Sequence, residues 1–376
     1  MKVAVDFTAG VRQQGGVGRY TRSLVRALAH SPGAPLELTL LWAGPARVAP
    51  PQDWPRTSTR RLPLPERWMT VAWHRARLPL PADVLAGGAS IFYSPDFALP
   101  PLLRARSAVT VHDLSFLTHP ETHFPPLRAY LEHVVPRSVQ RADLVLADSE
   151  QTGRDLIAYL GVPEQKLAVV LSAADAAFRR VEDEAQRRAV LRRWNVDRPY
   201  VISVGTIQPR KNLPVLFMAL RRLHERGRDL LLVHVGGKGW LYEPIFAALE
   251  ASGMSEHVRF LEGTGDADLA ALYSGAVALV FPSLYEGFGL PCLEAMACGT
   301  PVIASNAGSL PEVVGEAGLL VDPQDADAIT AGVERLLDDP AWREDLVRRG
   351  YAQHARFSWA RSGQQLRELL ERLAQR

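Results

Sequence analysis

Residues 281–298 read FPSLYEGFGLPCLEAMAC, with two carboxylates, Glu286 and Glu294, on either side of a glycine-rich turn. Residues 278–281 are a short apolar run that suits a buried strand of a parallel sheet, and the run empties into Pro, Ser, Tyr and Gly. Helix signals follow at once. Pro291 suits the first helical position, helix formers continue to Met296, and Gly299 suits the residue just past the end. The stretch therefore reads as strand, glycine loop and helix, with Glu286 in the loop and Glu294 in the first helical turn. Both carboxylates are expected beyond the carboxyl end of the strand, where open α/β sheets bind ligands. First-turn amides carry partial positive charge that suits a phosphate, while carboxylates accept hydrogen bonds from hydroxyls. A ligand with both phosphate and sugar uses both features; a Glu294 that complements the helix dipole and a solvated Glu286 need no ligand.

Outward from this stretch the same alternation repeats. Strand patterns at 200–205, 230–235, 258–261, 301–304 and 319–321 alternate with helical patterns at 212–223, 240–251 and 269–273, and helices near 325–337, 340–354 and 359–373 follow. An earlier series of apolar runs lies at 3–7, 36–42, 91–93, 108–111, 144–147 and 168–171. Residues 178–198 are charged, helical and strandless, which sets a boundary there. The fold class is α/β, with two successive doubly wound domains: residues 1–180, a linker at 181–198, a second domain at 199–356, and a terminal helix at 357–376. A chain of 376 residues is long enough for two such cores, and 47% hydrophobic content is that of a globular protein. The net charge of +2 does not imply a nucleic-acid partner. Cys292 and Cys298 are the two cysteines, too few for a disulfide framework or a zinc cage, so a reduced cytosolic setting is expected. No targeting region and no apolar run of about 18 residues is found, which leaves a soluble protein or one peripheral to a membrane.

Other candidate residues fall at the same kind of position. After the first strand come Gly15, Gly16 and Gly18, in a loop that lets a backbone approach a phosphate or sugar; a plain turn explains them too. Their spacing is not the dinucleotide fingerprint, which disfavours a nicotinamide cofactor. His112 and Asp113 end the 108–111 run, where the histidine either donates to a substrate hydroxyl or phosphate or is a satisfied buried residue. The loop after the 200–205 strand reads TIQPRKN, and Arg210 with Lys211 at a helix entry suits a phosphate clamp, the alternative being surface charge. Residues 54–81 hold Arg60, Arg61, Arg67, Arg75 and Arg77 among prolines and tryptophans, and read as irregular surface with a helix around 68–77. Arginine with tryptophan also suits a lipid interface. Asp266 and Asp325 open Asp-x-Asp runs before helical patterns and are assigned to N-capping; no metal site is expected.

Taken together, EGFGLPCLE with its E-x7-E spacing, MACGTPVIAS, GSLPEVVGEAGLLVDP, GTIQPRKN and the amino-terminal GGVGRY resemble the retaining GT-B glycosyltransferases of family GT4. The match is dense over 201–323. The resemblance implies a GT-B fold, two Rossmann-like domains facing a central cleft, with the terminal helix crossing back to the first. It implies a nucleotide diphosphate sugar as donor and a glycan or lipid-linked acceptor, with no metal and no other cofactor. By position, Arg210 and Lys211 match the donor diphosphate ligands and Glu294 the ribose-binding carboxylate. Glu286 and the amides of Gly287, Phe288 and Gly289, with Leu290 beside them, match the holder of the transferred sugar. Gly15 and Gly16 match the loop near the phosphates, His112 the histidine that bonds the sugar, and Gly205 and Thr206 the strand end at the donor. Phe260 and Leu261 are expected by the base. Many members carry arginine where Thr206 stands, and Arg210 is expected to supply that charge. The GTIQPRKN form is that of a mannosyltransferase-like branch, which makes GDP-mannose the expected donor with UDP- and dTDP-sugars open. A cytoplasmic enzyme at the inner face of a membrane follows, with an epimerase, a phosphorylase or an inactive sugar-nucleotide-binding scaffold as alternatives on the same fold.

Overall fold

The computed structural model describes residues 1–375 apart from Arg77, Pro79 and the side chain of His74, so the Arg77 named above lies outside the described residues. The chain divides into two compact units. The first comprises Met1–Leu117, Pro126–Ser172 and the chain from Ser358; the second comprises Thr118–Pro125 and Ala173–Phe357.

In the first unit seven strands pair in parallel: β1 (Lys2–Asp6), β2 (Glu37–Trp42), β3 (Thr57–Arg61), β4 (Ile91–Ser94), β5 (Arg106–Val111), β6 (Leu144–Ala147) and β7 (Leu167–Val169). Their order is β3-β2-β1-β4-β5-β6-β7. The apolar runs are continuous because both faces of the sheet are covered. Val3 and Val5 pack with Leu24, Leu28 and Leu366 on one side, and Ala4 packs with Phe92, Val109 and Val135 on the other. Strand β3 corrects the reading of 54–81 as irregular surface. Its sequence, TSTRR, is polar because it is an edge strand with exposed side chains, held by pairing with β2 from Leu38↔Thr57 to Trp42↔Arg61. The expected helix lies earlier, at Glu66–Thr70, and continues as a wider turn at Val71–Arg75.

The glycines after β1 also sit differently. A short helix, Thr8–Arg12, intervenes; Gly15 is then the N-cap of helix Gly16–Ala29, and Gly18 lies inside it. Gly18 is required there because a Cβ would fall 2.0 Å from the Gln13 carbonyl oxygen. The last helix, Trp359–Ala374, buries Leu366, Leu370 and Leu373. Gly363 brings it against helix Gly16–Ala29, since a Cβ would lie 2.6 Å from that of Ala27. Arg367 is buried beside it and donates to the Ser31 carbonyl at 2.8 Å while pairing with Glu371 at 2.8 Å.

In the second unit six parallel strands, β8 (Tyr200–Val204), β9 (Leu231–Val235), β10 (Val258–Leu261), β11 (Leu279–Phe281), β12 (Val302–Ser305) and β13 (Leu319–Val321), run in the order β10-β9-β8-β11-β12-β13. The chain lays down β9 and β10 on one side of β8 and then returns to lay β11 on the other. A crevice therefore opens at the carboxyl ends of β8 and β11. Residues 181–198 are not a linker between the units. Helix Glu184–Arg193, capped by Asp183, buries Val190, and Arg193 and Trp194 both donate to Asp268 at 2.9 Å. Its charged look comes from the face it leaves in water. Asp325 caps helix Ala326–Asp338 as expected, accepting from the Ala328 amide at 2.9 Å, but Asp266 does not cap. Gly265 holds the cap position and Asp266 is the first residue of helix Asp266–Gly275. Among the described residues no helix is long and apolar enough to cross a membrane.

Candidate active site

The β8/β11 crevice is where Arg210, Lys211 and Glu286 converge. The loop after β8 turns through the short helix Pro209–Lys211 into helix Leu213–Glu225. Asn212 sits at the junction in the left-handed region, with φ 53°. Its side-chain amide donates to the Pro323 carbonyl at 2.6 Å and the Pro282 carbonyl at 3.3 Å, tying the loops after β8, β11 and β13 together. The main chains of the first two meet directly, the Leu284 amide donating to the Arg210 carbonyl at 2.9 Å.

This frame fixes three charges. Glu286 Oε1 lies 2.5 Å from Lys211 Nζ, and Oε2 lies 2.8 Å from Arg210 Nη1. All three side chains are at most 13% exposed. Burial alone would raise the Glu286 carboxyl, but the Arg210 guanidinium and the Lys211 ammonium lower it to about 2. Burial pulls Lys211 below its ordinary value and the charge of Arg210 adds to this, with Glu286 opposing. Arg210 also donates to the Tyr285 carbonyl at 2.6 Å, and the ammonium of Lys211 stands 4.7 Å over the Phe281 ring. Two cations around one carboxylate sum to +1, in a crevice lined by backbone. The phosphate and sugar residues inferred from the sequence are thus in direct contact.

The loop from Glu286 to Gly289 is pinned from behind. Ser309 Oγ donates to the Glu286 and Phe288 carbonyls at 3.0 and 2.8 Å, and the Ser309 amide also donates to Glu286 at 3.0 Å. Gly308, at φ 57°, makes this approach possible, since a Cβ there would fall 2.5 Å from the Glu286 carbonyl oxygen. Sequence reasoning assigned no role to Gly308 or Ser309; the signal available was their place in a second strand–loop–helix unit, after β12. Gly289 is the N-cap of helix Leu290–Ala297, so Glu294 is its fifth residue and not in the first turn as expected. Glu294 is buried, and its carboxylate accepts from the Tyr273 hydroxyl at 3.1 Å.

On the β8 side, Gly205 packs over the Lys211 stem, where a Cβ would meet Cε at 2.8 Å, and Thr206 is exposed beside it. His234 was also missed. It is fully buried in β9, held neutral with its pKa lowered to about 4 chiefly by burial, and its Nε2 donates to the Gly205 carbonyl at 2.8 Å. Phe260 and Leu261 lie in β10 on the outer side of β9, and the Phe260 ring packs on Phe246 at 5.1 Å.

In the first unit, His112 follows β5 but does not offer a free donor. Nδ1 is 3.1 Å from Asp148 and Nε2 is 2.9 Å from the Pro95 carbonyl, and the ring stands edge-on to Tyr20 at 4.7 Å. Burial lowers its pKa, but the hydrogen bond and charge of Asp148 outweigh this and raise it. Both partners are acceptors, so the geometry suits the doubly protonated ring. The satisfied-histidine reading holds in this structure, and a bond to a sugar would require one of these contacts to break. Gly15 and Gly16 are exposed, with open space where a side chain would project. A cavity of about 540 Å³ opens in the same unit, lined by Arg12, Arg67 and Arg75 with Glu66, Thr70 and Pro45. Arg12 pairs with Glu66 there at 2.5 Å.

Residues 15–173 match the glycosyl transferase 4-like domain, and residues 186–353 match the family glycosyl transferases group 1. The O-antigen chain mannosyltransferase B of Escherichia coli is 37% identical over 271 residues, covering 72% of this chain and 71% of that protein. The serotype-specific mannosyltransferase WbdA of the same organism is 32% identical over 278 residues, but this chain spans only 34% of its length. Among solved structures, a sucrose-phosphate synthase from Thermosynechococcus elongatus superposes with a TM-score of 0.79 at 24% identity, covering 99% of both chains. WaaG, a glycosyltransferase involved in lipopolysaccharide biosynthesis, gives 0.73 at 16% identity, covering 98% of this chain and 99% of its own. At these identities the structural likeness is one of fold, and it is the GT-B fold. Two family matches that together span both units, and a relative aligned over most of its length, establish that the chain is a glycosyltransferase of group 1.

Proposed function

We propose that this enzyme transfers a hexose, and specifically mannose, from a nucleotide diphosphate sugar to a hydroxyl of a glycan or lipid-linked acceptor, with retention at the anomeric carbon and without a metal. The observation that carries the reading is the Arg210–Glu286–Lys211 cluster at the β8/β11 crevice. Breaking the anomeric bond builds negative charge on the departing diphosphate and positive charge on the sugar. Fixed cations beside the leaving group stabilise that change, and being already oriented they need no reorganisation during the reaction.

In this reading Arg210 and Lys211 hold the diphosphate, and the amides of Gly287, Phe288, Gly289 and Leu290 approach it at the helix start. Glu286 keeps the two cations in register, and its remaining lone pairs accept from sugar hydroxyls. Glu294 takes the ribose, Gly205 and Thr206 border the phosphates, and Phe260 and Leu261 flank the base. Gly15 and Gly16 supply unobstructed backbone at the first unit's helix start, and His112 orients that edge through Pro95 and Asp148. The acceptor hydroxyl attacks on the face the diphosphate leaves, and a diphosphate oxygen takes its proton, so no protein nucleophile is required.

The mannose assignment is supported by the O-antigen chain and WbdA relatives, both of which are mannosyltransferases. An acceptor with an anionic link suits the arginine-lined cavity of the first unit, and the 51% exposed Trp68 beside it suits contact with the inner face of a membrane. A donor panel separates these statements. GDP-mannose is expected to raise the melting temperature more than UDP- or dTDP-sugars, because a ligand of the native state stabilises by mass action. Release of nucleotide diphosphate only when acceptor is present distinguishes transfer from epimerisation, phosphorolysis or mere binding. A larger shift with a UDP-sugar overturns the donor assignment, and unchanged sedimentation with anionic liposomes overturns the membrane contact.

A further inference from the structure

The second unit carries another cluster of ligating side chains, at the opposite edge of its sheet. His224 stands at the end of helix Leu213–Glu225, Asp229 two residues before β9, and His257 directly before β10. Three separate chain segments therefore meet where the strands begin. One ligand atom from each of the three residues lies within 4.8 Å of the other two. The two imidazole rings are 4.1 Å apart between centroids.

We infer that His224, Asp229 and His257 form a binding site for a divalent transition-metal ion of the zinc or nickel type. Two imidazoles and one carboxylate are a ligand set suited to such ions, and three protein ligands leave the remaining positions to water. The outer contacts agree. His224 Nε2 donates to the Leu230 carbonyl at 2.8 Å, which fixes the ring and leaves the lone pair on Nδ1, the usual arrangement behind a metal-binding histidine. Arg198 is the resident competitor, its Nη1 lying 2.7 Å from Asp229 Oδ1 and 3.5 Å from His257 Nδ1. The first contact spares the second oxygen of Asp229. The second is long, and the same guanidinium has Asp197 as a further partner at 3.6 Å through Nε, so an ion can displace it from His257. The site clips a helix end to the starts of two strands. It stands apart from Glu286, because β9 alone separates the two edges by about 17 Å at 3.3 Å per residue.

Calorimetric titration of the full chain with zinc chloride, repeated with nickel, tests the site. One equivalent is expected to bind and to raise the melting temperature. Asp229→Asn, at an exposed position, and the double variant His224→Ala/His257→Ala are each expected to weaken binding at least about tenfold. Sugar transfer in metal-free buffer is expected to stay at the wild-type rate in the Asn variant, which shows that its fold is intact. No heat of binding to the wild-type chain, or one-equivalent binding of unchanged affinity in the Asn variant, overturns the inference.

Discussion

The two sheets reverse their strand order at equivalent places, β1/β4 in the first unit and β8/β11 in the second, yet the carboxyl ends there hold opposite chemistry. At the first, Asp6 ends β1 and Asp96 follows β4. Burial raises the Asp6 carboxyl to about 6, with the charges of Asp96 and Glu66 adding, and Asp96 is raised for the same reason. At the second, Arg210 and Lys211 hold Glu286 at about 2. Topology makes a crevice in both. The charges placed in it differ: buried carboxylates end the first pair of strands, whereas two buried cations and one carboxylate follow the second.

The strongest way to break this contrast is to remove the cationic cluster. Glu286→Ala and Lys211→Ala are each expected to lower turnover at least about tenfold, or ~1.4 kcal/mol of barrier stabilisation. Near-native rates in both variants, measured with the true donor, would sink the assignment. Glu286→Ala also leaves two buried cations without their carboxylate and should destabilise the second unit by about 3–5 kcal/mol in thermal or denaturant unfolding. Gly308→Ala is the next largest. Its Cβ would press on the Glu286 carbonyl at a positive φ, a strain of about 1–3 kcal/mol. Transfer is expected to fall several-fold through displacement of the 286–289 loop, and unchanged kinetics would show that the loop does not need Ser309 behind it.

The pH dependence sharpens the contrast further, because the two edges have opposite signs. Glu286 has its folded pKa depressed from 4.5, so its contribution is present above about 4.5 and is lost as pH falls towards 2. Asp6 has its folded pKa raised from 3.8, so its contribution is complete below about 3.8 and is lost as pH rises through 6. Asp6→Asn is therefore expected to be more stable than wild type at pH 8, by on the order of 1–2 kcal/mol after allowance for partial solvent screening, with the gain vanishing near pH 4. Melting curves at the two pH values check this, and a gain of equal size at both would assign it to something other than ionisation.

Much of the fold was legible because burial on both faces writes itself into composition. The runs at 3–7, 108–111 and 278–281 are apolar but for Asp6 and Thr110 and became central strands. The polar TSTRR strand was not legible, since an edge strand is held by backbone pairing to Leu38–Trp42 and needs no apolar side chains. Residues 181–198 misled for a related reason: a helix that buries one valine looks like a linker. At the site, the residue types and their strand-end positions were readable, but contacts across 75 residues of chain, such as Lys211 with Glu286, were not.

The sequence by itself determined the group 1 motifs, the doubly wound class and the placing of Arg210, Lys211 and Glu286 in loops that follow strands, because local pattern and strand–loop–helix spacing are encoded within a few residues. Tertiary structure alone decided that these three form one buried ionic cluster, that Glu294 turns to Tyr273, and that His112 spends both nitrogens on Asp148 and Pro95. Those outcomes depend on which strands become neighbours and how deeply each side chain is buried, and neither distance nor dielectric environment is written in a linear chain.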